Sequence, residues 1–88
     1  MTPEDKELLR EKVLNALYHS LLGGLSVGGI MLRIRHAFPD ATERDIKEAI
    51  AILQGLGFVE IPENRLGVSI SNKLTAEGAI YCERNGLV

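Results

Sequence analysis

Apolar positions recur at helical spacing from the start of the chain. Leu9, Val13, Ala16 and Leu17 share one face at roughly 100° per residue, and Leu14, Tyr18 and Leu22 widen the apolar arc beyond what a surface helix requires. Thr2 is a capping residue, Pro3 suits the first helical position, and Glu4 and Asp5 face the positive end of the helix dipole. With Gly23 as a C-terminal stop, the pattern predicts a helix over 3–22. Its wide arc fits two arrangements. One is a central helix packed on two sides; the other is a helix that also forms a dimer seam through Leu14, Tyr18 and Leu22.

Leu25-Ser26-Val27 is short and partly β-branched, and reads as a strand over 25–27 that makes a single bridge. Ile30, Ile34, Ala37 and Phe38 then share a face, with Met31 at its edge and Arg35 and His36 outside. This predicts a helix over 29–38, stopped by Pro39. Thr42 caps the next helix and Asp45 stands three residues later, an approximate capping box. Ile46, Ala49, Ile50 and Leu53 follow the i, i+3, i+4, i+7 spacing of one buried stripe. A helix over 43–55 results, ended by Gly55 and Gly57. "FVEI" and "LGVSI" alternate at period two around Pro62-Glu63-Asn64-Arg65, a β-hairpin over 57–71. Thr75 caps a last helix over 76–84, with Gly86 beyond its end. One domain of 88 residues is expected, of α+β class and mostly helical.

Composition narrows the chemistry. The single cysteine, Cys82, permits no internal disulfide, and His19 and His36 do not complete a zinc-type spacing. No metal or cofactor is expected. Cys82 reads as a half-buried structural thiol. The charged start "MTPEDKELLREK" is no secretory signal, and no apolar run approaches a membrane span. A cytoplasmic protein without membrane association is the expectation. Ten basic and twelve acidic side chains leave a net charge of −2, which is not the basic excess usual in a dedicated nucleic-acid binder.

"LLGGLSVGGI" (21–30) raises the question of a phosphate loop. A P-loop needs a strand before its glycines and Gly-Lys-Ser/Thr entering the helix. Here a helix precedes them, and Gly28-Gly29-Ile30 has neither lysine nor hydroxyl. The dinucleotide fingerprint fails for want of a preceding strand and a βαβ unit. Gly23-Gly24 therefore ends one helix, and Gly28-Gly29 turns the chain into the next. No serine stands in a nucleophile elbow, and the two histidines lie on separate helices. An enzyme is not expected.

From Leu25 to Tyr81 the chain resembles a winged helix-turn-helix domain: a three-helix bundle with a short strand, a β-hairpin wing and a C-terminal helix. "AIAILQGLGFVEI" resembles the end of a recognition helix running into the first wing strand. "KLTAEGAIY" resembles the "LT-x-x-G" that follows the wing in MarR-like and PadR-like regulators. The resemblance implies that the helix at 43–55 is of recognition type and that its partner is double-stranded DNA. With Ile46, Ala49, Ile50 and Leu53 inward, Arg44, Lys47, Glu48, Ala51 and Gln54 point outward. Arg44 and Lys47 suit phosphates or guanine edges, Gln54 suits adenine, and Ala51 is small enough for close approach. Thr42 at the start of the helix, Asn64 and Arg65 at the wing tip, Lys73 after it, and Arg33 and Arg35 on the preceding helix complete the expected DNA-binding set. On this view the protein is a transcriptional regulator and a homodimer. The alternative is a winged-helix adaptor for a protein partner, without nucleic-acid binding. It draws on the acidic balance and the spare apolar residues Leu14, Tyr18, Leu22 and Leu32. Arg44 with Glu48 and Lys47 with Glu43 also stand four apart, the spacing of ordinary ion pairs on a solvated helix face.

Overall fold

The computed structural model describes residues 1–20, 24–61 and 71–88. The first helix, α1, spans Pro3–Tyr18. Thr2 caps it through a reciprocal pair of bonds with Asp5: Asp5 N–H donates to the Thr2 hydroxyl at 3.1 Å, and Thr2 N–H donates to the Asp5 carboxylate at 3.3 Å. Leu9, Val13, Leu14, Ala16 and Leu17 are all buried, because α1 is packed from several sides by the later elements. Packing on several sides accounts for the buried part of the wide apolar arc. Leu14 is 2% exposed within one chain, so its expected place in a dimer seam is corrected: it is a core residue. Tyr18 is half-buried at the core margin, and Leu22 lies outside the described residues.

The helix ends at Tyr18 with His19 as its cap, earlier than the predicted 22. Ser20 is the physical reason. Its N–H donates to Leu17 O at 3.1 Å, and its hydroxyl both donates to Gly24 O and accepts from Gly24 N–H, at 3.1 and 3.2 Å. The hydroxyl thus clamps the chain across 20–24. Gly24 itself lies against the backbone of Asn72, where a Cβ would stand 3.0 Å from the Asn72 carbonyl oxygen.

Leu25 forms a single antiparallel bridge with Asn72, the only part of the predicted 25–27 strand present. The helix α2 then runs Val27–Ile34, starting sooner and ending sooner than 29–38. Ser26 caps it by accepting from Gly29 N–H at 3.1 Å, so Gly28 and Gly29 sit inside its first turn rather than in a connecting turn. Past Arg35 the chain is a turn, with the N–H groups of Ala37 and Phe38 both donating to Ile34 O at 2.9 Å, and Ala37 is exposed. The helix α3 spans Glu43–Gly55 and repeats the cap of α1, with Thr42 and Asp45 reciprocally bonded at 3.0 and 3.2 Å. Leu56 and Gly57 close it: Gly57 N–H donates to Gln54 O and Phe58 N–H to Leu53 O, both at 3.0 Å. That doubly bonded ending requires a left-handed residue, and Gly57 has φ +81°.

Two short strands follow, β1 (Val59–Glu60) and β2 (Lys73–Leu74), antiparallel with Val59 opposite Leu74 and Glu60 opposite Lys73. The described ladder therefore reaches past the predicted end of the hairpin at 71. Thr75 fixes this register, donating its N–H to Phe58 O at 3.0 Å and its hydroxyl to Gly57 O at 2.6 Å, while capping α4 (Ala76–Arg84). The hairpin tip at 62–65 and the "LGVSI" segment at 66–70 lie outside the described residues. The last residues fold back, with Asn15 Nδ2 donating to Leu87 O at 2.8 Å.

The core joins α1 (Leu9, Val13, Leu17), α2 (Ile30, Ile34), the full α3 stripe (Ile46, Ala49, Ile50, Leu53), Val59 and Cys82. Cys82 is fully rather than half-buried, and burial pushes its thiol pKa up, with Glu83 adding to the shift. It stays a neutral packing group.

At Gly78 a Cβ would collide with the Phe58 carbonyl oxygen and come within 2.7 Å of Leu74 Cδ1. Gly78→Ala should cost about 1–3 kcal/mol by chemical denaturation, whereas Gly55→Ala, with open space around it, should stabilise by about 0.4–1 kcal/mol. The hydrogen bonds from Thr42, backbone first and side chain second, hold the Asp45 carboxyl below its ordinary pKa, and the N-terminus and Lys6 add to the lowering. A depressed folded-state pKa gives stability that is present above the unfolded value and lost as pH falls through the folded one. Thr42→Val should therefore raise the Asp45 pKa, measured by NMR titration, and flatten that acid limb; an unmoved Asp45 titration contradicts the cap.

Candidate nucleic-acid interface

The α3 stripe is consumed by the core, so the opposite strip of the same helix is what α3 offers outward. Arg44, Lys47, Glu48, Ala51 and Gln54 are all exposed on it. Their spacing places them along one side of three successive turns. The two cations do not stand free. Arg44 Nε lies 3.4 Å from Glu48 Oε1 and Lys47 Nζ lies 3.1 Å from Glu43 Oε1, each an i,i+4 pair on a solvated surface. Both pairs match the spacing noted in the sequence. Exposed pairs of this kind contribute only about 0.3–0.5 kcal/mol, so either cation can exchange its carboxylate for a phosphate at small cost. The strip is nevertheless close to electroneutral.

Beside the strip, toward the base of the hairpin, runs a groove of about 290 Å³. Val27 at the start of α2, Ile50 and Ala51 of α3, and Ile61 after β1 give it apolar walls. Lys47, Gln54 and Asn72 supply its polar groups. Asn72 is 3% exposed, and its Nδ2 donates to Leu25 O at 3.1 Å. It is thus a structural amide that ties Leu25 to the sheet, and the bridge itself adds Leu25 N–H to Asn72 O at 3.0 Å and Asn72 N–H to Leu25 O at 2.8 Å.

The other expected site residues fall in different places. Thr42 is exposed, but its hydroxyl accepts the Asp45 N–H of the α3 cap. Lys73 is exposed on β2, opposite Glu60. Arg33 and Arg35 are exposed at the far end of α2 from Val27, with Arg33 about 9 Å along the helix axis from Val27. Neither is among the described residues that line the groove with Ala51 and Gln54. Asn64 and Arg65 lie outside the described residues. Sequence reasoning missed the groove as a unit, along with Val27, Ile61 and Asn72. The available signal was the stranded Leu25 segment, which needs an edge partner; nothing local identified Asn72 as that partner. Among the described residues, no group of three or more His, Cys, Asp or Glu is placed to hold a metal ion. No helix of the described residues is long and apolar enough to cross a membrane.

No family model matches the chain, and no curated protein matches it. Among solved structures it is similar to F-93 of SSV1, with 21% identity over 86% of this chain and 79% of that one, and a TM-score of 0.69. It is also similar to PerR of GAS in a Zn-Zn form, with 12% identity over 84% of this chain, 44% of that chain and a TM-score of 0.61. The chain thus spans less than half of the PerR chain. At these identities the likeness speaks for the fold. Four helices with a two-stranded antiparallel sheet, superposing on these structures, make the chain an α+β, mostly helical winged-helix domain, as the resemblance in its sequence implied.

Proposed function

We propose that this winged-helix domain binds double-stranded DNA and acts as a transcriptional regulator, placing α3 in the major groove with the hairpin along the backbone. The observation that carries the proposal is the division of α3: one side wholly buried in the core, the other uncovered and bearing Arg44, Lys47, Ala51 and Gln54. A helix so held is rigid enough to read base edges, and these residue types suit phosphate, guanine and adenine. The resemblance of "KLTAEGAIY" to the segment after the wing in MarR-like and PadR-like regulators supports the same assignment. A few cations per chain neutralise few phosphates, so the proposal includes a homodimer, which doubles the contacts. Its seam draws on Tyr18 and Leu22 rather than Leu14.

A second reading has its own support. The α3 strip is self-paired, and Leu32 and Leu56 are 64% and 57% exposed. Those features suit an adaptor that holds a protein partner and no DNA.

Fluorescence anisotropy with random duplex DNA at low salt separates the two. The regulator binds, with affinity falling steeply as salt rises; no binding at tens of micromolar protein favours the adaptor. Arg44→Ala with Lys47→Ala should weaken binding and, with both subunits of the dimer altered, reduce the salt slope by about 2–4 while leaving the melting temperature nearly unchanged. Parent-like binding by that double variant contradicts the assignment of α3. Sedimentation velocity should return about twice the 9.6 kDa chain mass; a monomer at high concentration contradicts the dimer.

A further inference from the structure

The groove between α3 and the base of the hairpin is unlike the strip beside it. Among its described lining residues there is one cation, Lys47, and no carboxylate, whereas the neighbouring strip carries Glu43 and Glu48. Its walls are apolar, and of its two amides Asn72 is already committed to Leu25. Gln54 is exposed at its rim, one turn beyond Ala51. A phosphate is a poor occupant, because apolar walls strip its water and a single ammonium shared with Glu43 does not replace it. What fits is an uncharged edge that joins a small apolar group to hydrogen-bonding atoms.

In the major groove that combination belongs to thymine and adenine. Thymine presents its C5-methyl beside an O4 acceptor, and adenine presents an N6 donor beside the N7 acceptor, which one carboxamide satisfies together. We propose that this groove is the specificity pocket of the domain: Ala51, walled by Val27 and Ile61, receives a thymine methyl, and Gln54 pairs with an adenine beside it. The inference rests on the DNA-binding proposal and deepens it. Arg44 and Lys47 hold the duplex without choosing its sequence, while Ala51 and Gln54 choose. Cytosine is disfavoured because it lacks the methyl group that the apolar walls receive.

The test starts from duplexes selected by the parent protein out of a random pool. Each thymine of the best duplex is then replaced singly by deoxyuridine, which removes only the methyl group. At one thymine position or more, affinity should fall about four-fold, and A51N, an exposed change checked by its melting curve, should bind thymine and uracil duplexes alike. If every uracil duplex binds as its thymine parent does, or if A51N keeps the difference, the pocket assignment is overturned while DNA binding stands. Salt-sensitive binding with no sequence enriched has the same consequence. If no duplex is retained at all, the DNA-binding proposal falls and takes the pocket with it, leaving the groove to an apolar peptide segment.

Discussion

The structure depends on the burial of one helical stripe. Ile46, Ala49, Ile50 and Leu53 enter the core against α1 and α2, and all four are nearly or fully inaccessible. Each large aliphatic side chain so buried contributes about 1.5–3 kcal/mol before the cost of ordering it. A small domain without a disulfide has little else to rely on. That burial fixes the rotation of α3 about its own axis. Once the rotation is set, the identity of the outward residues follows without further choice, and with it whatever the domain can touch.

The remaining elements hold that arrangement in place. The Thr42–Asp45 cap starts α3 at a fixed point, and the glycine-dependent ending at Gly57 turns the chain into β1 within two residues. Thr75 joins the start of α4 to the Gly57–Phe58 backbone. Phe58 and Tyr81 stack with ring centroids 4.6 Å apart over the same corner. On the other side, Asn72 links the sheet to Leu25, directly ahead of α2. The C-terminal end of α3 and the entry to α2 are thus tied to one small sheet, and the groove beside Ala51 lies between those ties.

Local signals were legible in the sequence and non-local ones were not. The α3 stripe and its capping box both lie within a dozen residues, so spacing alone located them, together with the Arg44–Glu48 and Lys47–Glu43 pairs. The end of α1 was misplaced because Leu21 and Leu22 continue an apolar pattern. What stops the helix is the Ser20 hydroxyl bonded to Gly24, which periodicity does not register. Leu14 looked surplus because a helix was expected to be covered on two sides, whereas α2, α3, α4 and β2 all pack on α1. The described pairing of the second strand lies past the predicted end of the hairpin for a similar reason. Its position is decided by Asn72 meeting Leu25 and by Thr75 meeting Gly57, contacts between residues far apart in the chain.

The central claim is that the uncovered side of α3 is the surface that meets DNA. Backbone amide shifts recorded by two-dimensional NMR during titration with a short duplex test it most directly. The account predicts perturbations concentrated at Arg44, Lys47, Ala51 and Gln54 and at the neighbouring Val27 and Ile61, with the α1 core unmoved. Shifts gathered instead on α1 and α4, or a spectrum indifferent to DNA, would contradict it.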